Sequence, residues 1–198
     1  ESLEAVKCRF EYLTLHVGAG TFKPVTATDA REHLMHEEEV IVEKSFLLKL
    51  LQNLQGHIVP VGTTSMRTLE SLYWLGVQII NGQEPAGHFN ISQWEPYESE
   101  VKIPASEALQ AIHDFLSRKR QTTIRGFTGI MIVPGYRFRI CNALVTNFHQ
   151  PQSTLLLLVA AFIGESWKKA YQFALENDFR FLSYGDSCLL FAKNEEID

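Results

Sequence analysis

The sequence predicts an α/β fold, a mixed sheet with flanking helices, from three observations. Short apolar runs of strand length alternate with segments whose apolar residues recur at helical spacing. Glycine, with hydroxyl or capping residues beside it, stands where strands pass into helices or helices stop. The continuous run Gly129-Ile130-Met131-Ile132-Val133 is of the kind expected of a strand covered on both faces.

Taken in order, residues 12–17 read as a strand that ends in Gly18-Ala19-Gly20-Thr21-Phe22. Two glycines around one small residue let backbone N–H groups approach a ligand closely. Thr28-Asp29 suits the cap of a short helix over 30–33, and Val40-Ile41-Val42 makes a second strand. Phe46, Leu47, Leu50, Leu51 and Leu54 mark a helix that Gly56 stops. A strand over 57–61 runs into Gly62-Thr63-Thr64-Ser65, and the helix that follows, 66–75, ends at Gly76. Arg67 and Glu70, three apart on it, are either a surface ion pair or groups aimed into a cleft. From 83 to 104 the pattern turns polar and irregular. Leu109, Ile112 and Leu116 then mark an amphipathic helix between 106 and 120. After the strand at 129–133, Pro134-Gly135-Tyr136 turns the chain, and 137–140 with 143–146 read as a hairpin joined at Cys141-Asn142.

The most telling stretch is 145–161. A strand leads to Asn147, Phe148, His149 and Gln150, and Pro151 keeps Gln150 extended. Ser153 is placed to cap a helix starting at Thr154 or Leu155, and Gly164 closes that helix in the left-handed conformation. A buried strand and a buried helix thus hold a short polar loop, which in α/β proteins is where ligands sit. A helix over 167–176 and a strand over 188–191 complete the order.

At 198 residues and 45 % hydrophobic, the chain can bury a core without staples, so one domain is expected. Cys8, Cys141 and Cys188 lack paired spacing, which fits a reducing cytoplasm better than a disulfide framework. No signal peptide is evident, and the apolar runs are too short to cross a bilayer. The chain opens without an initiator Met and heads into a strand, as an excised piece would. A net charge of −5 gives no global basic field for nucleic acid, although Arg118-Lys119-Arg120 with Arg125 form a local cluster.

The histidines suit acid or base work near neutral pH. His33, His36 and Glu38 have the spacing to suggest a metal, but the HExxH pattern is absent, and a substrate-facing acid/base cluster is the stronger reading. Gly62-Thr63-Thr64-Ser65 before a helix suits a carboxylate or phosphate.

Six motifs taken together resemble one family: Leu15-His16-Val17-Gly18-Ala19-Gly20-Thr21-Phe22; His33-Leu34-Met35-His36 with Glu38; Val61-Gly62-Thr63-Thr64-Ser65 with Arg67; Pro134-Gly135-Tyr136; Thr146-Asn147-Phe148-His149 with Pro151, Ser153 and Thr154; and Ser183-Tyr184-Gly185-Asp186. In this order they resemble the C-terminal part of the S-adenosylmethionine:tRNA ribosyltransferase-isomerases, the QueA family of queuosine biosynthesis. The resemblance implies a QueA-like large α/β domain, of which residues 1–198 are the C-terminal part. The family's small inserted β-barrel domain is largely absent, and an irregular insertion falls at about 76–128. A Gly-Leu-His-Phe stretch that precedes the first motif in the family is missing, and Gln150 stands where Leu is common.

The resemblance also implies an activity. The ribosyl part of S-adenosylmethionine is transferred and isomerised onto 7-aminomethyl-7-deazaguanine at the wobble position of a tRNA with a GUN anticodon. The products are epoxyqueuosine-tRNA, adenine and methionine, and the protein is a cytoplasmic monomer with no membrane partner. S-adenosylmethionine is a co-substrate, and no metal or further cofactor is required. His16, His36, Glu38 and His149 are the catalytic candidates. Gly18, Gly20 and Thr21 bring backbone to the substrate. Thr63, Thr64, Ser153 and Thr154 hold a carboxylate or phosphate, Tyr136 and Phe148 stack on a base, and Asp186 takes ribose hydroxyls or an amine. Arg67, Asn147 and Tyr184 complete the binding set. The alternative reading is a non-catalytic tRNA- or nucleoside-binding module of the same fold, with the segment around Arg118-Lys119-Arg120 facing RNA.

Overall fold

The computed structural model describes residues 8–16, 18, 33–98 and 100–193. Val17, Ala19, Gly20, Thr21 and Phe22 of the first motif lie outside the described residues, as does the short helix expected over 30–33 apart from His33.

Alternating apolar residues build a mixed four-stranded sheet from β1 (Thr14–His16), β2 (Glu38–Glu43), β3 (Phe89–Ile91) and β4 (Thr123–Thr128), in the order β1-β2-β4-β3. The β1–β2 and β2–β4 pairs are antiparallel and β3–β4 is parallel. Side chains alternate between faces, so Glu38, Val40 and Val42 lie fully buried on one face of β2 while Glu39 and Glu43 point the other way.

Three helices pack with this sheet: α1 (Lys44–Asn53), α2 (Thr63–Ile80) and α3 (Ala105–Arg118). α2 is the centre of the molecule, buried over nearly its whole length, as a helix apolar on most sides must be. It runs through Gly76, where the sequence suggested a stop. A Cβ at that position would lie 2.1 Å from the Ala108 carbonyl oxygen, so the glycine is where α3 crosses closest, and packing overrides its weak helix propensity. Residues 76–128, expected to be irregular, contain the end of α2, β3, a 3₁₀ turn at Glu95–Tyr97, α3 and β4.

A second, antiparallel pair is formed by β5 (Ala143–Asn147) and β6 (Ser187–Phe191), followed and preceded by α4 (Thr154–Ile163) and α5 (Ser166–Glu176). Residues 58–62 lie along the other edge of β5 in parallel: the Val145 N–H donates to Pro60 O at 3.0 Å and the Gly62 N–H to Val145 O at 2.8 Å. The strand expected over 57–61 is reduced to one bridge, Val61 with Val145. Pro60 has no N–H for a further neighbour, which suits an edge.

Two further expected strands are replaced by side-chain partners. Residues 130–132 are buried as predicted, and the N–H groups of Gly129 and Met131 donate to Ile91 O and Gln93 O. The Ile130 carbonyl receives Arg67 Nε at 3.1 Å, and the Met131 carbonyl receives the Tyr97 hydroxyl at 3.0 Å. Residues 137–140 form no hairpin with β5. The N–H groups of Arg139, Ile140 and Cys141 donate to the Glu70 carboxylate at 2.9, 3.0 and 2.9 Å, which leaves β5 to pair with β6. Gly164 does end α4 at positive φ, but its ψ of −151° lies outside the left-handed helical region.

Candidate active site

The strip 58–62 and β5 run side by side in the same direction, and each passes into a helix, α2 at Thr63 and α4 at Thr154. Two helices therefore follow neighbouring parallel segments at their carboxyl ends, an arrangement at which α/β proteins commonly bind ligands. Gly62, at φ 92°, makes the turn into α2, a conformation open to glycine and strained for other residues. At α4 the Ser153 hydroxyl accepts the Leu156 N–H at 3.1 Å, the N-cap expected from sequence.

Beside the first helix end lies a buried ion pair. Arg67 Nη1 is 3.1 Å from Glu38 Oε2, with the two side chains 3 % and 0 % exposed. The guanidinium also donates to the carbonyls of Ile130 and Thr128, and the Thr64 hydroxyl donates to Glu38 Oε1 at 3.4 Å. Burial lowers the pKa of Arg67, and Glu38 opposes the shift. The surface pair considered for Arg67 and Glu70 does not form, because both are buried and turn to different partners.

His36 stands two residues before Glu38, exposed, with ring atoms 3.3 Å from where a Cβ on Gly18 would sit. The segment before it is clamped by Gln93, whose Oε1 accepts the Met35 N–H at 3.0 Å and whose Nε2 donates to the His33 carbonyl at 2.6 Å. His16 is separate. It faces Glu39 across the β1–β2 ladder, on the face opposite Glu38, and Glu39 pairs with Arg125 at 3.3 Å.

In the loop after β5, His149 is only 8 % exposed. Its Nε2 lies 2.9 Å from Thr146 Oγ1, and its backbone N–H donates to the Tyr171 hydroxyl. Burial pushes its pKa down to about 4, so the ring is neutral at neutral pH. Phe148 and Tyr136, expected to stack on a base, are core residues. Phe148 packs edgewise on Tyr171 at 5.3 Å and Phe179 at 5.6 Å. Tyr136 donates its hydroxyl to Glu70 at 3.0 Å and receives Trp74 Nε1 at 3.1 Å. Neither offers a ring face to a ligand.

Asn147 Nδ2 donates to the carbonyls of Gly185 and Asp186. Asp186 accepts the Arg180 N–H at 2.8 Å and its guanidinium at 3.2 Å, and the backbone N–H and guanidinium of Arg180 hold its pKa low. Tyr184, at the tip of the loop closed by this clasp, is 97 % exposed. Thr63 and Thr154 are buried at the first positions of their helices, and Thr64 is half-buried.

Sequence reasoning missed Gln93 and the role of Glu70. Glu70 had a signal, a lone carboxylate on a helix otherwise apolar on most sides, whereas Gln93 had none. Two hollows, about 360 Å³ beside Trp74, Gln78 and Glu95 and about 270 Å³ beside His88, Lys119 and Arg125, contain none of the expected site residues. Among the described residues no group of three or more His, Cys, Asp or Glu could hold a metal, and no helix is long and apolar enough to cross a membrane.

Comparison with known proteins agrees with the motif reading. Residues 1–190 match the family described as queuosine biosynthesis protein. The S-adenosylmethionine:tRNA ribosyltransferase-isomerase of Allorhizobium ampelinum is 39 % identical over 198 residues, covering 98 % of this chain and 44 % of that protein. Its counterpart from Rhizobium meliloti is 41 % identical, covering 92 % of this chain and 40 % of that protein. The crystal structure of S-adenosylmethionine tRNA ribosyltransferase from Thermotoga maritima superposes with a TM-score of 0.57 at 29 % identity, covering 95 % of this chain and 46 % of that one. The chain thus spans less than half the length of these relatives.

Proposed function

The chain belongs to the queuosine biosynthesis protein family, and from that premise we propose that it forms the donor-site portion of an S-adenosylmethionine:tRNA ribosyltransferase-isomerase. The reaction is transfer and isomerisation of the ribosyl moiety of S-adenosylmethionine onto 7-aminomethyl-7-deazaguanine at the wobble position of a GUN-anticodon tRNA. Epoxyqueuosine-tRNA, adenine and methionine are the products, made in the cytoplasm by a monomer without a metal. The names of the relatives support the donor and the tRNA. The observation that carries the reading is two helices starting beyond the ends of parallel segments, with Thr64 hydrogen-bonded to the buried Glu38–Arg67 pair.

The N-termini and the hydroxyl of Thr63 hold the methionine carboxylate, for which unpaired N–H groups and the helix dipole are suited, while the Thr64 hydroxyl donates to Glu38. Glu38, fixed by Arg67, acts through Thr64 as a positioning residue. Gly18, close to the His36 ring, brings backbone to the donor; Gly20 and Thr21 lie outside the described residues. His36, exposed beside Gly18, is the base that removes ribose protons. His149 keeps the 147–150 loop in shape as a neutral ring, and His16, on the other face of the sheet, has no part in this assignment. Tyr184, Asn147 and Asp186 form the adjoining loop wall, where Tyr184 offers an exposed ring to a base. The sulfonium is itself a leaving group, so no covalent nucleophile is needed, and orientation of two large substrates supplies much of the rate.

Adenine release from S-adenosylmethionine in the presence of modified tRNA tests this assignment. A His36→Ala change should slow release by roughly 10²–10⁴-fold. A loss under tenfold in a folded variant would remove His36 as the base.

A further inference from the structure

The hollow of about 270 Å³ beside α3 lies among the loop 85–88, the end of α3 and the start of β4, and its chemistry is cationic. Lys119, Arg125 and His88 line it together with Gln121 and Thr123. Arg118 and Arg120 flank Lys119 in the chain. Such a concentration stands out in a protein of net charge −5. Among the described residues, only two carboxylates answer these four permanent cations: Glu84 lies 2.8 Å from Arg118 and 3.7 Å from Lys119, and Glu39 lies 3.3 Å from Arg125. Compensation of the helix dipole accounts for cations in the last turn of α3, but Arg125 is on β4 and serves no helix end. The side chains of Lys119 and Arg125 remain about half exposed, at 52 % and 51 %. Solvent-exposed ion pairs are weakly held, so phosphate oxygens can displace Glu84 and Glu39.

We infer that this hollow and its rim bind the phosphodiester backbone of an RNA strand. The hollow seats one phosphate with polar groups around it, and Arg118 and Arg120, next to Lys119 in the chain, add positive charge for neighbouring phosphates. The choice of RNA among polyanions rests on the proposed tRNA substrate; the cationic hollow does not. Base stacking is not part of the site, because Phe115 in its wall is buried with Lys119 Nζ 5.7 Å over its ring.

The test is tRNA binding to the 198-residue chain across a salt series. Three proteins are compared: the unaltered chain, Lys119→Gln/Arg125→Gln, and Lys168→Gln/Lys169→Gln on α5, which changes the net charge equally. Each phosphate contact contributes about 0.7–0.9 to the slope of log K against log salt, so losing the one phosphate seated in the hollow should flatten it by about 0.7–0.9. The α5 variant should leave the slope unchanged. Equal flattening in both variants, no flattening in the first, or no tRNA binding at low salt would each overturn the inference. Displacement of tRNA by millimolar inorganic phosphate would also overturn it, by marking a single-anion site. S-adenosylmethionine binding, measured separately, reports on the donor site. Donor binding without the tRNA response sinks this inference alone, and the tRNA response without donor binding sinks the donor-site reading alone.

Discussion

Replacing Arg67 by Met should expose how the candidate site is held. The change removes the counter-charge 3.1 Å from a Glu38 carboxylate that is 0 % exposed, and it removes donors from the carbonyls of Ile130 and Thr128. Breaking one side of a buried pair costs about 3–5 kcal/mol, mostly because a charge is left in low dielectric. Converting both partners, as Glu38→Gln with Arg67→Met, removes that charge. What remains is the loss of donors to two carbonyls, each worth about 1 kcal/mol net. The double variant should therefore be more stable than Arg67→Met, and a double-mutant cycle should give a coupling of at least about 2 kcal/mol. Urea unfolding followed by the fluorescence of Trp74, Trp94 and Trp167 measures all four corners. Additive single-variant costs, or a cost under about 1 kcal/mol for Arg67→Met, would refute the reasoning.

Two further outcomes follow from other buried groups. In Glu70→Gln, an amide nitrogen must face backbone N–H groups that now donate to a carboxylate oxygen. A cost of about 2–4 kcal/mol should lower the melting temperature by roughly 5–15 °C; a fall under about 2 °C would show that the carboxylate is not the clasp of residues 139–141. His149 should make the protein acid-sensitive. Its pKa is about 4 when folded and about 6.5 in an unfolded chain, so between those values the unfolded state binds more protons. The contribution, up to about 3 kcal/mol, is fully present above about pH 6.5 and is lost as pH falls towards 4. Urea midpoints at pH 7, 5.5 and 4.5 measure it, and a His149→Gln variant should show a flatter profile over that range.

What was legible in the sequence was whatever local rules decide. Ser153 capped α4 as read, since an N-cap depends only on residues within one turn. The periodicity of Leu109, Ile112 and Leu116 placed α3 to within two residues at either end. The failures occurred where a distant side chain took over backbone hydrogen bonds. Arg67 and Tyr97 satisfy carbonyls along 128–131, and Glu70 satisfies N–H groups at 139–141, so apolar runs that read as strands have no second strand beside them. Gly76 misled for the same reason: the close approach of α3 that requires a glycine is not visible locally. In the site, the hydroxyls and glycines at helix starts were legible. The separation of His16 from Glu38 by the sheet needed the β1–β2 register, and the burial of Phe148 and Tyr136 needed the packing of α2 and α5.

The central claim is that the site at the starts of α2 and α4 holds S-adenosylmethionine, and a calorimetric titration of this chain with that molecule tests it most directly. Saturable binding that Thr64→Val weakens at least tenfold, with Lys168→Gln at the remote α5 leaving it unchanged, is the predicted result. Binding indifferent to Thr64, or no saturable binding, would contradict the claim.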